Sequence, residues 1–282
     1  MRRFRTLLTT AVLATLVVGG TAGWASAGSV SAPNGPVQGT AAWLADDTLG
    51  RQLPDPATAT PSEVAAFFAG LTDAQRQRLV AGDLEHATHV AVIVPGSDVD
   101  ASRFDRTAQR AADLQAKAGD DTAVIAWAGY TTPSGVGLDQ ATGRLADSGA
   151  ERLPRLTEGL DATGLPDPAL FCHSYGSVVC GLAAPDTDAS DIVVMGSPGM
   201  RADDVTALRT DAHVWAAKSA HDWIDRVPNV EVLGLSHGAD PTSPGFGATA
   251  LPADDVPAHD EYFAPGTSTL TAFAAIADGE LR

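Results

Sequence analysis

The chain has 282 residues, 44% of them hydrophobic and 19% charged, a balance that supports one substantial buried core and excludes a disordered or fibrous protein. Its 35 acidic and 18 basic side chains leave a formal net charge of −17. A chain of that sign repels nucleic acid and anionic membranes, so neither is expected as a partner.

The first predicted element is an export signal over residues 1–27. It has a basic start (Arg2, Arg3, Arg5), an apolar run over 7–18 and a small-residue end, Ala25-Ser26-Ala27. The run is too short to span a bilayer and is broken by Gly19 and Gly20, so no stable membrane anchor is expected. Cleavage would place Gly28 at the mature N-terminus and remove three arginines, taking the net charge from −17 to −20. The expected location is therefore extracellular. The Arg2-Arg3 pair leaves the export route open. Residues 28–40, rich in Gly, Ser and Pro, read as a flexible leader. Residues 41–87 read as an N-terminal helical segment packed on the core of the main domain. One helix begins at Pro61-Ser62-Glu63 and carries Val64, Phe67 and Phe68; the next begins at Thr72, which forms a T-x-x-Q capping box with Gln75.

From residue 88 to 282, short apolar runs alternate with longer amphipathic ones, the pattern of a mostly parallel sheet covered by helices on both faces. Strands are expected over 89–94, 122–128, 169–172, 191–195, 213–217 and 230–235. Helices are expected over 101–118, with Asp100 as N-cap, and over 139–160. No internal repeat is visible. Residues 197–212, between two strands, are too few to form a large lid domain.

The strongest local signal is Leu170-Phe171-Cys172-His173-Ser174-Tyr175-Gly176-Ser177-Val178-Val179, an apolar strand running through a small-residue turn into an apolar helix. It matches the nucleophile elbow G-x-S-x-G, with Cys172 where the first glycine usually stands. Positions two before and two after the serine must be small because strand and helix nearly touch there, and cysteine is small enough. Chance occurrence of H-S-x-G is the bland alternative; the strand-to-helix context favours a nucleophile at Ser174.

A serine hydroxyl needs a base to take its proton, and the base needs a carboxylate to orient it. In elbows of this kind the partners follow in the order Ser, Asp or Glu, His. Of His213, His221, His237 and His259, the last lies in a late loop before the final helix and is the preferred base, with His237 as the alternative. The acid should follow the strand 213–217, which points to Asp222; Asp225 and Asp240 compete. Backbone donors for an oxyanion are expected from Tyr175, just after the nucleophile, and from Ser97 in the loop Val94-Pro95-Gly96-Ser97-Asp98, with Gly96 as the alternative. Trp127, Tyr130 and Trp223 are candidates for an apolar acyl pocket, core packing being the other role open to each.

The two cysteines, Cys172 and Cys180, do not suit a metal site. Cys180 shares a helix face with Gly176, and that face looks toward Cys172, so a disulfide could staple the elbow; two buried thiols are the alternative.

With these residues together, the chain resembles a family of secreted bacterial α/β-hydrolases. The shared segments are Cys-His-Ser-Tyr-Gly-Ser-Val-Val at 172–179, Val-Met-Gly-Ser-Pro-Gly at 194–199, Val-Trp-Ala-Ala at 214–217 with Asp222-Trp223, Gly-Leu-Ser-His-Gly-Ala-Asp-Pro at 234–241, Phe246-Gly247, and His259-Asp260-Glu261-Tyr262-Phe263. The resemblance implies the α/β-hydrolase fold and strengthens Asp222 and His259, leaving His237 and Asp240 unassigned. The Cys172 form of the elbow is similar to secreted esterases and lipase-like enzymes, which implies hydrolysis of a small or lipid-like acyl ester without a cofactor. A peptidase or amidase using the same three residues, or a non-catalytic binding protein on this fold, are the competing readings.

Overall fold

The computed structural model describes residues 79–97, 104–127, 129–130, 132–133, 144–226 and 237–281. The expected signal, leader and paired N-terminal helices, Asp98, Asp100 and the expected strand over 230–235 lie outside the described residues.

Seven strands form one sheet in the order β1-β3-β2-β4-β5-β6-β7. They are β1 (Val80–Ala81), β2 (His89–Val94), β3 (Thr122–Ala126), β4 (Ala169–His173), β5 (Asp191–Met195), β6 (His213–Ala217) and β7 (Thr249–Ala250). Every pairing is parallel except the one between β1 and β3. The residues of β3, β4 and β5 are buried throughout, as strands covered on both faces must be. The described helices are α1 (Phe104–Ala118), α2 (Arg144–Ala150), α3 (Leu153–Ala162), α4 (Gly176–Ala183) and α5 (Ser268–Ala277). α1 packs with α5 on one face, and α2 and α3 pack with α4 on the other. This is the mostly parallel sheet covered by helices on both faces that the alternating pattern predicts, in the arrangement of the α/β-hydrolase fold that the resemblance implies.

Side-chain alternation along β4 decides what each face receives. Phe171 meets Phe273 of α5 edge-on at 5.4 Å between ring centroids, and His173, two residues on, faces Arg110 of α1. Cys172 points the other way and is disulfide-bonded to Cys180 of α4, with a Cα–Cα distance of 6.4 Å. The sequence-based pairing is thus present.

The structure differs from the expected elements in four places. The helix expected over 139–160 is two helices, α2 and α3, because Pro154 has no N–H for the Ala150 carbonyl and its ring crowds that oxygen. The strand expected over 122–128 ends at Ala126. Residues 80–81, placed in an all-helical N-terminal segment, instead form an antiparallel edge strand against Ile125 and Val124. β7 adds a short edge beside β6 that the sequence pattern does not announce.

Between β5 and β6 the chain makes only turns and one 3-10 turn, Thr206–Leu208, so no lid domain is inserted there. Ligands of open parallel sheets bind where neighbouring strands send their following loops apart. Here that point lies between β2 and β4, each carrying one loop of the elbow region at its C-terminal end.

Candidate active site

Ser174 follows β4 directly and has φ +52°, in the left-handed region where a non-glycine residue is strained. Its amide donates to Met195 O at 2.9 Å, and its carbonyl accepts from the Ser177 amide at 2.9 Å as α4 begins. Two glycines permit the turn. A Cβ on Gly176 would stand 2.4 Å from Val94 O, and one on Gly96 would stand 2.7 Å from the Ser174 Cβ. The loop after β2 is therefore in contact with the elbow.

The late loop brings His259 to this serine, with Nε2 2.8 Å from Ser174 Oγ. On its other side, Nδ1 lies 2.7 and 2.9 Å from the two carboxylate oxygens of Asp222, in the loop after β6. A carboxylate only accepts, so Nδ1 carries the proton of the neutral ring and Nε2 is left to accept from the serine hydroxyl. All three side chains are buried. Asp222 also accepts from the Ile224 amide at 2.8 Å and the Tyr262 hydroxyl at 2.7 Å. Burial alone would raise the Asp222 carboxyl, but the hydrogen bonds from His259, Tyr262 and Ile224 outweigh it and hold the group below the usual range. A serine, a base and an ionised acid so arranged can deprotonate the hydroxyl during attack on a carbonyl.

The competing sequence candidates fall elsewhere. His237 is buried edge-on against the Tyr175 ring at 5.7 Å, and its carbonyl accepts from the Arg201 amide. Asp240 is paired with Lys218 and bonded to Thr242. His213 bonds Thr249, and His221 is exposed on the turn before Asp222. The side chain of Asp225 lies outside the described residues. Tyr175 is the N-cap residue of α4, and Gly96 and Ser97 lie on the facing loop after β2. The Pro95 carbonyl of that loop accepts from the Tyr130 hydroxyl at 2.5 Å. Trp127 and Tyr130 are buried and stack on one another, with Tyr130 against Tyr175 at 6.4 Å between ring centroids.

Sequence reasoning gave no role to a second set of residues behind the first. Tyr262 bridges the acid loop, donating to Asp222 Oδ2 and accepting from the Ser219 amide at 3.0 Å. Gly196, with φ +55°, lies where a Cβ would stand 2.9 Å from Asp222 Oδ2 and 3.0 Å from His259 Nδ1. His173 Nε2 is 2.8 Å from the His259 carbonyl and must donate to it. Its Nδ1 then accepts from Arg110, 3.4 Å away, whose guanidinium also donates to the Asp260 carbonyl at 2.9 Å. Burial, reinforced by the Arg110 charge, drives His173 well below the ordinary imidazole range, so it is a neutral strut under the histidine loop. One signal for it was available: Arg110 lies in the otherwise mostly apolar stripe Phe104, Thr107, Ala111, Leu114, and a cation on a buried face needs partners.

Two Mycobacterium tuberculosis proteins described as uncharacterized, MT2140 of strain CDC 1551 / Oshkosh and Rv2079 of strain H37Rv, are each 31% identical over 242 residues. The match covers 72% of this chain and 37% of theirs, so the chain spans little more than a third of the length of these relatives. Among solved structures, XC6422 from Xanthomonas campestris, described as an a/b serine hydrolase without lid, is 15% identical with a TM-score of 0.43, over 71% of this chain and 85% of that one. Esterase PE8 is 15% identical with a TM-score of 0.41, over 70% and 97%. Likeness at that level says nothing about chemistry. The alpha/beta hydrolase family model matches residues 73–232, more than half of the sequence, and the chain belongs to that family.

Proposed function

We propose that this chain is an exported serine hydrolase that cleaves carboxylic esters of small or lipid-like substrates through an acyl-enzyme on Ser174. The observation that carries the reading is the unbroken relay from Asp222 through His259 to Ser174, with links of 2.7 and 2.8 Å, on a strained elbow. In acylation, Ser174 Oγ attacks the ester carbonyl as His259 Nε2 takes its proton. Asp222 holds the ring in the required tautomer and stabilises the imidazolium that forms. The oxyanion is received by the Tyr175 N–H and by a donor of the facing loop, Ser97 or its neighbour Gly96. One such donor is worth about 10²–10³ in rate. His259 then returns the proton to the leaving alkoxide, and water activated by the same nitrogen releases the acid. The steps require no metal or cofactor. Export after cleavage at residue 27 accords with the Cys172–Cys180 disulfide, since such bonds persist in oxidising compartments. No helix among the described residues is long and apolar enough to cross a membrane.

Hydrolysis of p-nitrophenyl esters of increasing acyl length, run beside Ser174→Ala and a fluorophosphonate label, tests the reading. Turnover and labelling should both be present in the wild type and lost together in the variant. Labelling with turnover of amides but not esters would move the assignment to a peptidase or amidase. A folded wild type that is neither labelled nor active would leave a binding protein on the hydrolase fold.

A further inference from the structure

We propose that Trp223 is the wall against which the alcohol portion of the ester packs, so that the site selects esters of apolar, ring-bearing alcohols; this rests on the serine hydrolase reading above. Trp223 follows Asp222 and opens the 3-10 turn Trp223–Arg226. Its ring centroid lies 4.6 Å from that of His259, with the planes at 48°. Among the described residues it is the one exposed large hydrophobic side chain, at 41%. A single exposed apolar residue is ordinary on a protein surface. What sets Trp223 apart is its contact with the histidine that passes the proton. On the buried side, that ring meets His173 at 4.9 Å, so Trp223 flanks it toward solvent.

The reaction decides which part of a substrate comes there. As the bond from Ser174 Oγ to the carbonyl carbon forms and the bond from that carbon to the alcohol oxygen breaks, the proton taken by His259 Nε2 goes to the departing alkoxide. That transfer needs the alkoxide within about 3 Å of Nε2. The oxyanion and the acyl chain leave the tetrahedral carbon in other directions. The group carried by the leaving oxygen is therefore the one brought beside His259, and the exposed indole is the apolar surface waiting for it. An aromatic or alicyclic alcohol would cover that indole, whereas methanol would not reach it.

Two ester series separate alcohol from acyl recognition: butanoates of methanol, butanol, benzyl alcohol and 2-naphthylmethanol, and benzyl esters of acids from acetic to octanoic. Wild type, Trp223→Leu and Trp223→Ala are compared by kcat/KM, and ratios between variants cancel the intrinsic reactivity of each ester. Ring-bearing over methyl selectivity should fall about tenfold in the alanine variant and by less in the leucine variant, while the acyl-length profile keeps its shape. Fluorophosphonate labelling of Ser174 confirms that each variant retains its relay; an alanine variant that is not labelled leaves the leucine variant to carry the comparison. Equal loss on all esters, or a change confined to the acyl series, overturns the assignment of Trp223 and leaves the esterase reading intact. No turnover and no labelling in the wild type overturns both.

Discussion

At the scale of single residues, the proposed site rests on groups behind Ser174, His259 and Asp222. Tyr262 is the clearest, because one hydroxyl donates to Asp222 Oδ2 and accepts from the Ser219 amide, fixing the acid carboxylate and its loop together. Tyr262→Phe keeps the fully buried ring and removes both bonds. A hydrogen bond to a charged group is worth about 1.5–3 kcal/mol, and a buried amide left without its acceptor adds to the loss. The variant should therefore unfold about 2–3 kcal/mol more easily in urea. Asp222 keeps its bonds to His259 and Ile224, so kcat should fall on the order of tenfold rather than to the level of Ser174→Ala. A kcat equal to wild type would show that the tyrosine supports the loop without ordering the acid. The sequence reading singled out Ser174, Asp222 and His259, which lie in hydrogen-bond contact in the structure, because chain order and loop position constrain such a set. It gave no role to Tyr262, Gly196 or Arg110, because their contacts join segments that meet only in the fold.

At the scale of elements, β4 and α4 form a stapled unit. The strand delivers Ser174, the helix starts two residues later, and the Cys172–Cys180 disulfide ties them on the face opposite His173. Closing so short a loop contributes about 2.5 kcal/mol in the chain-entropy model. The double variant Cys172→Ala, Cys180→Ala should lower the melting temperature by roughly 5–10 °C. Since Ser174 is also held by its amide bond to Met195 O, activity below that transition should survive. Loss of activity at 25 °C in a folded double variant would show instead that the staple sets the serine's geometry. This unit was legible in the sequence since it combines a continuous apolar run, a fixed motif and two cysteines. The edge strands β1 and β7 were not, because two residues carry no periodicity and their pairing comes from neighbours distant in sequence. The break between α2 and α3 was missed by a reading that ran one helix over 139–160, although its cause, Pro154, is local.

At the scale of the whole molecule, acid stability should reveal the neutral strut beneath the histidine loop. His173 has its folded pKa pushed well below the ordinary 6.5 by burial, then by Arg110 and His259. As pH falls below 6.5 the unfolded chain takes up a proton there that the folded chain refuses, so stability falls; above 6.5 neither state holds it and the contribution is complete. The slope for one such group approaches about 1.4 kcal/mol per pH unit. Asp222 and Asp240 have folded pKa values depressed below 3.8, so their contribution is present above that value and disappears only in stronger acid. Between about pH 6.5 and 5 the contribution of Asp222 and Asp240 is therefore nearly constant and does not mask that of His173. Urea midpoints of wild type and His173→Gln, measured at half-unit steps from about pH 8 to 5, isolate this one group by difference. The glutamine amide can still donate to the His259 carbonyl but cannot be protonated, so the variant should start less stable at about pH 8 and lose less on acidification. The gap between the two curves should narrow by about 1–2 kcal/mol by pH 5. A constant gap would mean that His173 takes up its proton in the folded state, and with it that neither burial nor Arg110 holds the ring neutral.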